Sequence, residues 1–213
     1  MSFEITLRAS VGERDIVLDL VSTARLVALV GPSGVGKTTV LNCVAGLVRP
    51  VSGRIAVDGR VLFDSDAGIN LAPEARRAGY VFQDGRLFPH RRVAANLTYG
   101  EKLAPVGDRW IGLDEVVDLL GIGHLLDRWP ATLSGGEARR VAIGRALLSA
   151  PKFLLLDEPL TSLDPARTEG LLTSIERIRD ELAIPILYVS HATAEVERLT
   201  DEVVAMGRPS HAA

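Results

Sequence analysis

The sequence predicts an α/β fold: a mixed or parallel sheet core, an antiparallel β subdomain near the N-terminus and a helical subdomain inserted into the core. Three observations predict it. Leu26 to Val30, Phe153 to Leu156 and Ile186 to Val189 are short, near-continuous apolar runs, the pattern of strands covered on both faces in a parallel sheet. The residues before and between these runs, up to Phe63, read as antiparallel strands, and the stretch from Gln83 to Ala150 reads as mostly helical.

Taken in order, Ile5 and Leu7 alternate with polar neighbours and Ile16 to Leu20 is apolar, giving two strands. Ile55-Ala56-Val57 and Val61-Leu62-Phe63 flank Asp58-Gly59, a two-residue hairpin signal. Tyr80-Val81-Phe82 is a further strand ahead of Gln83. Val116, Val117, Leu119 and Leu120 read as helical with a stop at Gly121, and a further helix after Ser134 carries Val141, Ile143, Ala146 and Leu147. Asp164 before Pro165 reads as an N-cap with proline at the first helical position; Leu171, Leu172, Ile175, Ile178 and Leu182 supply the apolar stripe behind it. A last strand runs from Val203 to Met206. The chain therefore reads as one domain, 1–213, with a core from 1–83 and 151–213 and a helical subdomain over 84–150.

Composition bounds the function. At 213 residues, 47% apolar and 24% charged, the chain can bury a sizeable core and is not of the disordered class. A net charge of −3 gives no global field that would attract nucleic acid. The single cysteine, Cys43, has no intrachain partner and falls in an apolar helical stretch, so a core role and a reducing compartment are expected. Met1 to Arg8 alternates and carries Glu4, unlike a secretory leader, and no run of about 18 apolar residues exists to span a bilayer. Any work at a membrane then goes through a partner.

The chemistry begins at Gly31-Pro32-Ser33-Gly34-Val35-Gly36-Lys37-Thr38-Thr39, which follows an apolar strand and opens a helix. This is the full spacing of a phosphate-binding P-loop. Glycines let backbone N–H groups turn inward around phosphate oxygens, Lys37 reaches the terminal phosphates, and the Thr38 hydroxyl suits the Mg²⁺ that accompanies ATP. A second buried strand ends in Asp157-Glu158-Pro159, two carboxylates where a doubly wound sheet places its ligand crevice. Asp157 is expected to hold Mg²⁺ and Glu158 to act as general base on the attacking water. Ser134-Gly135-Gly136-Glu137 has the spacing of a capping box. Capping alone does not call for two adjacent glycines, which suit close approach of a phosphate to a positive helix end.

Leu133-Ser134-Gly135-Gly136-Glu137, set between the phosphate loop and Leu154-Leu155-Leu156-Asp157-Glu158-Pro159, resembles the signature of the ATP-binding cassette (ABC) family. Other elements of that family fall in order: Gln83 after its strand, Ser162-Leu163-Asp164 past the acids, and His191 after Leu187-Tyr188-Val189-Ser190. The resemblance implies that Gln83 contacts Mg²⁺ and the attacking water, that His191 holds the γ-phosphate, and that Asp164 belongs to the nucleotide site. It further implies a head-to-tail homodimer in which Ser134 to Glu137 of one copy cover the ATP held by Lys37 of the other.

Gly59 to Asp64, Leu71 to His90 and Asn96-Leu97-Thr98-Tyr99-Gly100 resemble, within the family, the ATPase subunits of bacterial molybdate importers. That implies ATP hydrolysis coupled to oxyanion uptake through a separate membrane permease, on the cytoplasmic face of the membrane, with a substrate-binding protein acting indirectly. Leu87, Phe88 and Pro89 would meet the permease, rimmed by Arg86, His90, Arg91 and Arg92. Members of that group commonly add a C-terminal oxyanion-binding domain, and this sequence ends at Ala213 without one. Arg8 to Arg14 holds no aromatic residue for adenine stacking, so an arginine plane or apolar contact is expected there. The alternatives are a cassette for sulfate, tungstate, iron or thiamine, a clamp on nucleic acid or ribosomes, which would bring a coiled-coil insertion or second cassette, and a nucleotide-sensing subunit without turnover.

Overall fold

The apolar runs become the middle of a parallel sheet. The structure, a computed structural model, describes residues 3–12, 14–182 and 184–207. Its elements are β1 (Phe3–Val11), β2 (Arg14–Ser22), β3 (Leu26–Val30), α1 (Lys37–Ala45), β4 (Ser52–Val57), β5 (Arg60–Asp64), β6 (Ile69–Asn70), α2 (Pro73–Arg76), β7 (Ala78–Val81), α3 (Val93–Leu103), α4 (Leu113–Leu120), α5 (Gly135–Leu148), β8 (Phe153–Asp157), α6 (Pro165–Glu181), β9 (Ile186–Ser190), α7 (Thr193–Leu199) and β10 (Val203–Ala205). Two sheets result: an antiparallel one ordered β2-β1-β4-β5-β6 and a parallel one ordered β10-β3-β9-β8-β7.

The parallel strands are apolar on both faces because each face has its own core. Leu26, Ala28, Leu154, Leu156, Ile186 and Tyr188 pack with α3 to α7, while Val27, Leu29, Leu155, Leu187 and Val189 pack with α1 and the inner face of the antiparallel sheet. Alternation along each strand sends successive side chains to opposite cores. Cys43 lies fully buried in the second of these, its thiol pushed up to about 11 by burial.

The hairpin forms at Asp58 (φ 51°) and Gly59 (φ 76°), with Val57 opposite Arg60, the left-handed pair of a type I′ turn. Asp164 caps α6, accepting from Arg167 N–H at 3.1 Å, and Gly121 ends α4. β7 stops at Val81, one residue before the predicted end: the Phe82 carbonyl is taken by Gly85 N–H in a turn and by the Arg139 guanidinium. The last strand likewise ends at Ala205, although Met206 N–H still donates to Val30 O.

Arg76 has no counterpart in the sequence reading. Its guanidinium, 1% exposed, donates to Leu71 O, Cys43 O, Val44 O and the Asn70 side chain at 2.7–3.0 Å. Two of these carbonyls belong to the last turn of α1; Cys43 O also accepts from the Gly46 N–H at 3.2 Å, so Arg76 is its second donor and supplies the donor for Val44 O. Arg76→Met should therefore lower the unfolding free energy by about 3 kcal/mol, since it strands buried acceptors. Urea unfolding reads this directly, and a loss below about 1 kcal/mol would show that water or a neighbour takes over those carbonyls.

Candidate functional site

Four segments carrying predicted residues leave the same edge of the parallel sheet. β3 ends at Val30, paired with Ser190 of β9; Asp157 of β8 pairs with Val189; Val81 of β7 pairs with Leu156. Parallel strands in register end together. The phosphate loop, Asp157-Glu158, Gln83 and His191 are thus delivered to one place by strand alignment, with residues up to 160 positions apart in sequence.

The phosphate loop needs its glycines. A Cβ on Gly31 (φ 155°) would sit 2.5 Å from Met206 O, and one on Gly36 (φ 109°) 2.7 Å from the Ile16 side chain. Both residues occupy backbone that favours glycine, and both are pressed against neighbouring strands. Pro32, Ser33 and Gly34 are exposed, Val35 N–H donates to Pro32 O, and Thr39 lies half-buried in the first turn of α1. Lys37 is 4% exposed, its Nζ donating to Gly31 O at 2.7 Å and Pro32 O at 3.1 Å, with Glu158 Oε1 at 3.7 Å. The ammonium thus lies across the mouth of the loop.

Thr38 Oγ1 donates to Asp157 Oδ1 at 3.2 Å. Burial holds the Asp157 carboxyl above its ordinary range, with Glu158 adding to the effect and the Thr38 hydrogen bond opposing it. An acid reluctant to stay charged next to a hydroxyl is relieved by a divalent cation. Thr38, Asp157 and Gln83 line one cavity of about 650 Å³, together with Asn42, Phe82 and Thr161. These are hard oxygen donors, the chemistry Mg²⁺ takes, so the residues fit that ion and the glycine cradle fits a polyphosphate.

Glu158 stands in left-handed backbone (φ 44°), held by its N–H on Val189 O. Strain of this kind at a non-glycine residue persists where surroundings over-determine it. The turn aims the carboxylate at three partners: Lys37, Thr161, whose hydroxyl donates to Oε2 at 3.0 Å, and His191, whose Nδ1 lies 3.3 Å from Oε2. His191 itself is about half exposed.

The Ser134 to Glu137 motif lies apart. Ser134 Oγ accepts from Glu137 N–H at 3.4 Å and Glu137 Oε2 accepts from Ser134 N–H at 2.6 Å, the capping box expected for α5. A Cβ on Gly135 would meet Leu163 at 3.0 Å and one on Gly136 would meet Arg167 at 3.3 Å. The glycines therefore admit the approach to and the first turn of α6. Asp164 is occupied by its cap and by Arg167 Nε at 3.1 Å.

The stretch after Gln83 forms an exposed aromatic and basic patch. Phe88 packs on Tyr99 with ring centroids 4.6 Å apart, the Arg91 and Arg145 guanidiniums lie over these rings, and Pro89, His90 and Arg92 are exposed. Leu87 turns inward onto the core, and Arg86 pairs with Asp84 over the Phe82 ring. Asn96, fully buried, organises the loop by accepting from Phe88 N–H and donating to Phe88 O, Arg91 O and Arg92 O. Neither Tyr99 nor Asn96 stood out by residue type. Arg8 is paired with Asp15 at 2.6 Å on the antiparallel sheet, and Glu13 lies outside the described residues.

A family profile described as ABC transporter matches residues 15–161, more than half of the chain. The chain belongs to the ABC transporter family. This cassette is 55% identical over 208 residues to the molybdenum import ATP-binding protein ModC of Mesorhizobium japonicum, covering 98% of the chain and 56% of that protein. It is 59% identical over 186 residues to the protein of that name from Rhodospirillum rubrum, covering 87% and 50%. The cassette thus spans about half the length of the curated relatives it matches. Among solved structures it superposes on cbiO1 from Clostridium perfringens, part of the cbiONQ ABC transporter complex, with TM-score 0.78, 28% identity and coverage of 97% and 84%. It also superposes on the dimeric cassette MJ0796 in a post-hydrolysis state bound to ADP and Pi, with TM-score 0.71, 25% identity and 95% of each chain covered. No helix among the described residues is long and apolar enough to cross a membrane.

Proposed function

We propose that the chain is the ATP-hydrolysing subunit of an importer that drives an oxyanion, molybdate, through a separate membrane permease. The observation that carries this is the convergence of Lys37, Thr38, Asp157, Glu158, Gln83 and His191 at one sheet edge. The oxyanion rests on the similarity to the ModC proteins.

In this reading the loop amides and Lys37 bind the β- and γ-phosphates, Lys37 leaving Gly31 O and Pro32 O for them. Mg²⁺, when bound, neutralises charge on the phosphates, with Thr38, Asp157 and Gln83 to hold it. Glu158 would orient the attacking water and accept its proton, and His191, beside that carboxylate, would donate to the γ-phosphate. Catalysis is positioning and electrostatics, so a loosened side chain costs rate even where binding survives.

The contacts of Ser134 to Glu137 run to Arg128, Leu163 and Arg167, away from Lys37. Two copies packed head to tail would bring this motif, with Asp164 beside it, over the nucleotide of the partner. The 84–150 segment would serve as a helical subdomain on a core of 1–83 and 151–213. The Phe88–Tyr99 patch would receive the permease, placing the chain on the cytoplasmic face of the membrane, with the solute-binding protein engaged only through the permease. The test is reconstitution with permease and binding protein, measuring which oxyanion stimulates ATP hydrolysis. Molybdate should stimulate it several-fold over sulfate; stimulation by an unrelated solute alone would replace the substrate, and none by any oxyanion would remove the importer role.

A further inference from the structure

His191 lies in the short turn between β9 and α7, and that turn has an anchor independent of the catalytic edge. Ser190 on one side of the histidine is buried, and its hydroxyl donates to Glu195 Oε2 at 2.8 Å while accepting from the Ala192 N–H at 3.0 Å on the other side. The same Glu195 oxygen accepts from the Tyr188 hydroxyl at 3.0 Å. Tyr188 is fully buried, and burial followed by the nearby Glu195 charge pushes its phenol well above its ordinary range, so it stays a donor.

This arrangement is more than a helix start needs. Ala192, the residue that precedes α7, has no side-chain oxygen to cap with. Ser190 instead closes a serine turn on the Ala192 N–H just ahead of the helix, and the Glu195 carboxylate fixes the serine rotamer with a charge-assisted hydrogen bond. The backbone before and after His191 is thereby held from one carboxylate, and the imidazole, about half exposed, reaches 3.3 Å from Glu158 Oε2. For a side chain half in solvent, a fixed backbone removes much of the freedom that would misplace the ring.

We propose that Glu195 is a positioning residue for His191, holding the β9–α7 turn through Ser190 and Tyr188 so that the imidazole stays beside Glu158. The proposal deepens the ATPase reading above and rests on it for its kinetic consequences. Its structural content stands without nucleotide.

The test uses the full chain with Glu195→Ala, Glu195→Gln and Tyr188→Phe. In ¹H–¹³C spectra of the imidazoles, recorded without nucleotide and assigned by His191→Gln, Glu195→Ala should shift or broaden the His191 signal and leave those of His90 and His124 in place. Glu195→Gln keeps a carbonyl acceptor and should retain most of the native signal; Tyr188→Phe, which keeps the ring packing, should give a partial shift. For hydrolysis, Glu195→Ala should lower kcat about tenfold with KM for ATP within about twofold, the pattern of a lost transition-state interaction. In a His191→Ala background the same substitution should have no further effect, because two residues acting as a unit do not add. An unmoved His191 signal in Glu195→Ala, or a full extra loss in the double variant, overturns the proposal. If His191→Ala hydrolyses ATP normally, the role given to His191 in catalysis falls, and the imidazole spectra still decide whether Glu195 anchors it.

Discussion

Glu158→Gln should bind Mg–ATP at least as tightly as the parent and hydrolyse it about two orders of magnitude more slowly, or worse. The amide keeps the shape and still accepts from Thr161, which donates to Oε2 in the parent. What it lacks is the charge that accepts a proton from water. The left-handed backbone at residue 158 is set by the Val189 hydrogen bond and the strand end, not by the side-chain charge, so the variant should fold normally. ATP-bound dimers should accumulate, visible by size-exclusion chromatography with Mg–ATP. Single-turnover hydrolysis measures the loss, and near-parental turnover would remove Glu158 from the role of base.

Lys37→Met should have its largest effect on binding. The parent ammonium is almost wholly buried, tied to Gly31 O and Pro32 O and 3.7 Å from Glu158. Methionine fills the volume but offers no donor to a phosphate. Loss of a charge-assisted hydrogen bond costs about 1.5–3 kcal/mol, or about ten- to 150-fold in Kd. At Mg–ATP about ten times the parental Kd, the melting temperature of the parent should rise and that of the variant should rise far less, because stabilisation grows as the logarithm of 1 + [L]/Kd. A parental Kd by calorimetry would mean that the loop amides carry the affinity alone.

Much of the fold was legible because its signals are local. The buried runs at Leu26, Phe153 and Ile186 announce strands covered twice, the Asp58-Gly59 pair announces a hairpin, and Asp164-Pro165 announces a helix start; each is decided by a handful of neighbouring residues. The phosphate loop and the paired acids were legible for the same reason. Less visible were groups whose partners lie far along the chain. Arg76 reads as one more basic residue until Cys43 and Val44 are seen to need its donors. Leu87, which the family resemblance places among the permease contacts, packs on the core, and Tyr99 joins Phe88 in the patch, because the buried Asn96 decides how the 88–92 loop turns. The Ser190–Glu195–Tyr188 anchor is silent in sequence, since serine and glutamate ahead of and within a short helix are ordinary capping residues.

The register of the parallel sheet carries one more implication, for insertions and deletions. Asp157 lies opposite Val189, and the next residue leaves the strand as Glu158. Side chains alternate between faces with a period of two, so one residue added within Phe153 to Leu156 would put Leu156 at the strand's last position and carry both carboxylates about 3.3 Å along the chain direction. Charge and the internal spacing of every motif would survive such a frame slip, yet Leu156 would stand where Asp157 meets Thr38, and Asp157 would stand where Glu158 meets His191. The interior of these strands should therefore tolerate substitution of one apolar residue by another far better than any change in length.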